Sequence, residues 1–276
     1  MGSTPVASCQ AGQSDVEDTE IIMCIRTALL MALLFTTNMV RADYWHPAPG
    51  LRWQIQFSGT MDYSADVDAF EIDLFDTPAS EIAALQARGK KVICYFSAGS
   101  WENWRADASQ FPAAVKGRKL DGWAGEKWLD IRQLNVLRPL MQARLDVAAS
   151  KGCDAVDTDN VDGYTNRTGF PLTGNDQLAY NRMLAAEAHA RNMAIGLKND
   201  LNQIPALLNE FDFGVNESCL VWDECSLMLP FINAGKAVLH IEYTGNPATL
   251  CPLLLQYGFS TVFKHQELDA YLASCR

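Results

Sequence analysis

From Trp53 onward the sequence repeats one unit eight times: a short apolar run, a polar tip, and then a stretch of helical period. The runs are WQIQFSG (53–59), AFEIDLFD (69–76), KVICYFSAGSW (91–101), DAVDTDN (154–160), MAIGLKND (193–200), DFGVNES (212–218), AVLHIEYTG (237–245) and STVFKHQ (260–266). Helix-like segments lie at 78–88, 136–151, 176–192, 204–210, 227–235, 248–257 and 268–274. Short apolar runs bounded by turn residues read as buried strands, and strands alternating with helices pair in parallel. Eight such units with no break in composition describe an α/β fold, a (β/α)8 TIM barrel forming a single domain over residues 43–276. A doubly wound open sheet is the competing architecture, but no GxGxxG or phosphate loop follows the first run. Span 60–68 is too short for a helix and is expected to be irregular. Several helical segments stop at a glycine beside Lys or Asn, as in ARGKK, ASKGC and NAGKA, which is C-terminal punctuation.

The first 42 residues break this pattern. Residues 1–22 are polar and acidic, whereas 23–42, MCIRTALLMALLFTTNMVRA, have an early Arg, an apolar centre and a Val40-Arg41-Ala42 ending. That is the pattern of a secretory signal peptide within an N-terminal extension, with Asp43 as the mature start. Its apolar centre is too short to span a membrane. The chain is therefore expected to be secreted, extracellular or periplasmic, with no membrane span once the leader is removed. Its 276 residues carry a net charge of −11, which disfavours nucleic acid and anionic membranes as partners. A neutral or cationic partner fits better, and the chain is expected to act as a monomer.

Eight cysteines include Cys9 and Cys24 ahead of the domain, leaving six within it. An even number in an exported chain permits disulfides. Cys219 and Cys225 bracket a short loop and form the favoured pair, with Cys251 and Cys275 a second; Cys94 and Cys153 sit in apolar strands and are expected as buried free thiols. No Cys or His spacing fits zinc, and neither metal nor cofactor is expected.

In a barrel the strand ends converge on one face. The tips offer Asp73, Asp76, Tyr95, Ser97, Asp157, Asp159, Asn160, Lys198, Asn199, Asp200, Asn216, Glu217, Glu242, Tyr243, Lys264, His265 and Gln266. Carboxylates dominate, and there is no GxSxG nucleophile or HExxH metal motif. Two carboxylates across a pocket are what glycosidic cleavage needs: one protonates the leaving oxygen while the other attacks the anomeric carbon or activates water. Asp157 and Asp159 share one side of their strand because side chains alternate. Glu217 and Glu242 are both candidates for the partner, and spacing does not choose between them. Charge-paired structural roles are the plainer alternative for Asp73, for Asp200 and for one of the two glutamates. The insertion 102–135 carries Trp104, Trp123 and Trp128, with Trp101 at its entrance. Some of these form a satellite core, and Trp101 is expected at the rim as a sugar platform.

The strings FEIDLFD, VICYFSAGSWENWR, WLDIRQLNVLRPLMQARLDVA, DTDNVDGY, LKNDLNQI, FGVNESC and GKAVLHIEY together resemble glycoside hydrolase family 114, over roughly Trp53 to Gln266. That family is related to secreted endo-α-1,4-polygalactosaminidases with (β/α)8 barrels. Its catalytic pair, an Asp after the fourth strand and a Glu after the sixth, falls on Asp159 and Glu217. Where the family has Glu-Pro-Asp-Asn this chain has Asp157-Thr158-Asp159-Asn160, shortening the first carboxylate by one methylene. The resemblance implies endo-acting, retaining hydrolysis of a cationic α-1,4-galactosamine polymer of the galactosaminogalactan type. Asp73, Tyr95, Trp101, Asp157, Asn160, Tyr164, Lys198, Asn216, Trp222, Glu242 and Tyr243 are the candidate substrate-binding residues. Two alternatives remain: a non-catalytic carbohydrate-binding barrel, and a lyase forming a Schiff base at Lys198.

Overall fold

The computed structural model describes residues 44–275. The expected leader, the segment before it and the boundary at Ala42 lie outside the described residues. In chain order the strands are β1 (Trp53–Ile55), β2 (Ala69–Asp73), β3 (Lys91–Ser97), β4 (Ser100–Glu102), β5 (Lys116–Lys119), β6 (Glu126–Leu129), β7 (Ala155–Asp159), β8 (Ala194–Lys198), β9 (Phe213–Glu217), β10 (Val238–Glu242), β11 (Ser260–Phe263) and β12 (Ala273–Ser274). The helices are α1 (Ala79–Ala87), α2 (Leu134–Lys151), α3 (Gly174–His189), α4 (Ile204–Leu207), α5 (Cys219–Trp222), α6 (Leu229–Asn233) and α7 (Pro247–Leu254).

All eight expected runs are strands, and they pair in parallel in the order β1-β2-β3-β7-β8-β9-β10-β11. Their sequences read as unbroken apolar runs because both faces are covered: β2, β8 and β10 are buried at every residue. An inner cluster fills the barrel, with Trp53 and Phe213 set against the small Ala69, Ala155 and Ala194. Gly196 belongs to the same fit, since a Cβ there would lie 2.5 Å from the Phe213 ring. A larger cluster lies between the strands and the helices. The sheet closes by side chains: Trp53 Nε1 of β1 donates to the Ser260 carbonyl of β11 at 2.7 Å, and Lys264 Nζ donates to Gln54 Oε1 at 3.0 Å. The helix ends follow the sequence as well, with Gly152 left-handed at φ 87° after α2.

Three expectations change. Segment 268–274 is not a helix; it contains β12, antiparallel to β11. Lys264 is buried, and its ammonium collects the carbonyls of Asp269 and Tyr271, which an α-helix would have turned to its own amides. Insertion 102–135 builds a small antiparallel sheet, in the order β4-β6-β5, over the barrel mouth. Cys94 and Cys153 are joined to each other, alongside the expected Cys219–Cys225 and Cys251–Cys275 bridges. The reason is topological: β3 and β7 are distant in sequence yet adjacent in the barrel, so Cys94 on β3 meets Cys153, which sits just ahead of β7.

The Cys94–Cys153 bridge closes a loop of 59 residues, for which chain-entropy arguments give roughly 4 kcal/mol. A Cys94→Ala/Cys153→Ala variant is expected to melt about 10 °C lower by calorimetry. An unchanged melting temperature would mean the bridge does not hold these strands together.

Candidate active site

The strands β3, β7, β8 and β9 end in Ser97, Asp159, Lys198 and Glu217, and the chain turns sharply beyond the last three. Asn160, Asn199 and Ser218 have φ of 61°, 50° and 60°. Asparagine tolerates this left-handed backbone better than most residues, and the turn holds each preceding side chain at the rim. Asn160 is fixed further by its side-chain donation to Ser97 Oγ at 2.9 Å.

Lys198 Nζ is the centre of the site. It lies 3.3 Å from Asp159 Oδ1, 3.3 Å from Glu217 Oε2 and 3.7 Å from Asp157 Oδ2, in a residue only 4% exposed. Burial opposes its charge, but Asp159, Glu217 and Asp157 outweigh that and hold its pKa well above the ordinary lysine value. An ammonium held this firmly is unfit to attack a carbonyl, which removes the basis for a Schiff base. Asp159 also accepts from the Tyr95 hydroxyl at 2.9 Å and from the Asn160 amide at 2.8 Å. Glu217 accepts from the Tyr243 hydroxyl, a phenol that burial and then Glu217 keep protonated.

One layer down, Asp157 is fully buried and faces the equally buried Glu71. Burial pushes Asp157 up to about 7, and burial followed by the charge of Asp157 pushes Glu71 well above the carboxylate range. No oxygen of either carboxyl has a hydrogen-bond partner among the described residues. Fully buried and with the Asp157 charge beside it, Glu71 favours its neutral form.

The cleft above Lys198 has a volume of about 450 Å³. Asp73, Tyr95, Asp159, Asn160, Lys198, Glu217 and Tyr243 line it, and Tyr164 and Trp222 line an adjoining hollow that reaches Glu217. Asp73 lies in the wall with both oxygens taken by Arg105, at 2.9 and 2.6 Å, so it positions that arginine. Asp157 lies beneath the cleft and supports Lys198. Asn216 and Glu242 are corrections with one cause. The register pairs Glu217 with Ile241 and Asn216 with His240, so Glu217 faces into the barrel while Asn216 and Glu242 face outward. Glu242 accepts there from the Leu220 amide at 3.0 Å and bonds His240 at 3.1 Å, and Asn216 donates to Asn199. Trp101 is also corrected: its Nε1 donates to the Ala108 carbonyl, and Lys116 and Lys127 lie against its ring, outside the cleft. The aromatic wall comes instead from Phe57, Trp104, Trp123 and Trp128. The tryptophan load of the insertion was the signal; which rings reach the cleft depends on the β4-β6-β5 sheet.

Among the described residues, the metal-ligating atoms of Cys219, His240 and Glu242 cluster together, but Cys219 is committed to its disulfide. What the site presents is a pair of inward carboxylates sharing one cation, open to a cleft walled by aromatic rings. That arrangement suits acid–base and nucleophilic work on a sugar.

The profile described as "Glycoside-hydrolase family GH114" matches residues 36–276. Among solved structures, Aspergillus fumigatus Ega3, in complex with galactosamine, is 45% identical with a TM-score of 0.80, covering 84% of this chain and 97% of that one. The glycoside hydrolase domain of PelA from Pseudomonas aeruginosa shares the fold at 14% identity, with a TM-score of 0.66 and coverage of 82% and 98%. No curated protein sequence matches. With the profile spanning the whole described barrel, the chain belongs to glycoside-hydrolase family GH114.

Proposed function

We propose that this glycoside hydrolase is a secreted, endo-acting enzyme that cuts α-1,4-linked galactosamine polymers with retention, using Asp159 and Glu217. The observation that carries the reading is the single ammonium of Lys198, 3.3 Å from an oxygen of each carboxylate. Those two oxygens are therefore no farther apart than twice that distance, which is compatible with the roughly 5–5.5 Å separation of a retaining pair. Asp159, with a phenol and an amide donating to it and an ammonium beside it, is the better nucleophile. Glu217, with its side chain 30% exposed, is the better proton exchanger. In the first step an Asp159 oxygen bonds to the anomeric carbon while Glu217 delivers a proton to the departing glycosidic oxygen. In the second, Glu217 takes a proton from water, whose oxygen displaces Asp159.

A cationic substrate is favoured by a cleft with seven lining carboxylates against two cations, Arg105 and Lys198. The galactosamine complex of Ega3 points to the same sugar. Three disulfides suit an oxidising compartment.

Asp159→Asn and Glu217→Gln are each expected to lower kcat/KM on deacetylated galactosamine polymer by at least ~10³-fold with unchanged circular dichroism. On an aryl galactosaminide with a good leaving group, Glu217→Gln should recover much of the loss and Asp159→Asn none. Reducing-end release at the native rate by either variant sinks the assignment.

A second expectation concerns pH. Burial is the leading cause that raises Asp162 to about 6, Asp157 and Glu126 to about 7 and Asp200 to about 8. The folded protein therefore holds protons that the unfolded chain has lost above about pH 4. This stabilisation is complete below that pH and is lost as pH climbs through 6 to 8. The melting temperature should fall between pH 5 and pH 8, and Asp200→Asn should flatten the decline. A flat or rising profile for the native protein contradicts it.

A further inference from the structure

Glu242 faces away from the cleft, yet it is bonded to the segment that carries Glu217. Beyond Glu217 the backbone enters the left-handed turn at Ser218, whose amide donates to the Ile241 carbonyl at 2.8 Å. Two residues on, the Leu220 amide donates to Glu242 Oε1 at 3.0 Å. Leu220 is the second residue of the short α5, where the first amides have no acceptor within the helix and the Ser218 side chain provides no cap. The Glu242 carboxyl, reaching across from β10, supplies the acceptor instead.

Glu242 is itself held in place. His240 Nε2 lies 3.1 Å from the same oxygen, and His240 Nδ1 lies 3.1 Å from Thr261 Oγ1 on β11. All three side chains are buried. A polar line thus runs from Thr261 through His240 and Glu242 to the Leu220 amide, and in a dry interior such a line is stiff. Past Leu220 the chain lies in solvent, with Val221 58% and Trp222 71% exposed, so no packing holds it from outside. Glu217 is therefore secured by β10 twice over. The Tyr243 hydroxyl bonds its carboxylate at the cleft, while the Ile241 carbonyl and the Glu242 carboxyl fix Ser218 and Leu220, which follow it in the chain. A general acid must meet the departing oxygen at hydrogen-bond distance, and a misplacement of about 1 Å costs on the order of 10²-fold in rate.

We propose that Glu242, oriented by His240 and Thr261, is a positioning residue for proton transfer by Glu217: it does not touch the sugar and acts by fixing the turn that follows the acid. This rests on the reading of Glu217 as the proton exchanger and extends it to a buried line that ends on the outer side of the barrel.

The test compares kcat/KM on deacetylated galactosamine polymer with kcat/KM on an aryl galactosaminide whose leaving group departs without a proton. Glu242→Met, which fills the same space and removes the acceptor, should lower the polymer value about 10²-fold and the aryl value by less than about threefold, with unchanged circular dichroism. Glu242→Gln, which keeps an oxygen for the Leu220 amide, should recover most of the loss. Equal losses on the two substrates reveal a merely structural role and overturn the proposal, as does native activity of Glu242→Met on polymer. Should Glu242→Met fail to fold, Thr261→Val, which deletes only the hydrogen bond to His240, decides in its place: a split of roughly fivefold between the substrates supports the line, and no split overturns it. Glu217→Gln on the same two substrates checks the underlying reading by itself. If that variant loses equally on both, Glu217 is not the proton exchanger, whatever the Glu242 variants do.

Discussion

The Lys198 ammonium, enclosed at the carboxyl ends of the strands, is the interaction on which the site depends. Burying one ion unpaired costs several kcal/mol, and burying carboxylates around an empty centre costs more. Lys198 lets two strand-terminal acids approach each other without mutual repulsion driving them apart, with a third acid supporting the ammonium from below. Two phenols, Tyr95 and Tyr243, then fix the outer pair in orientation. Beneath them burial, with the Asp157 charge after it, holds the Glu71 carboxyl well above the ordinary carboxylate range, so the layer under Lys198 resists a fourth negative charge.

Much of this was legible in the sequence, for physical reasons. A parallel strand covered on both faces must be apolar throughout, so β2, β8 and β10 announced themselves as runs without alternation. The acidic end of β7 could be read from side-chain alternation, which puts Asp157 and Asp159 on one side. Hidden was the offset between neighbours. Glu217 and Glu242 each close a strand of five residues, yet a register that sets Glu217 opposite Ile241 sends one into the cleft and the other into the outer layer. Nothing within either strand specifies that offset.

Other misreadings share the same root, that long-range partners decide local fate. Cys94 and Cys153 looked like separate buried thiols because the insertion between β3 and β7 hides their adjacency. Residues 268–274 have helical composition, but the buried ammonium of Lys264 competes for their carbonyls and wins. Trp101 stands at a strand end as a platform residue would. The small sheet over the barrel mouth instead supplies Lys116 and Lys127 to its ring, and the tryptophans that line the cleft are Trp104, Trp123 and Trp128.

The stretch around β12 has a bearing on truncation. No strand ladder joins β1 to β11; the seam is spanned by side chains and by residues 268–275, where the Leu268 carbonyl receives the Phe57 and Ser58 amides and Cys275 is tied to Cys251. The first and last staves of the barrel are thus held by a clasp made after both of them. A chain ending at β11 would possess every parallel strand and the Trp53–Ser260 contact and still lack the Leu268 and Cys275 part of the clasp. Ring closure, and with it the backbone that sets Phe57 against Tyr95 at the cleft wall, therefore draws on residues beyond β11 as well as on the two staves themselves.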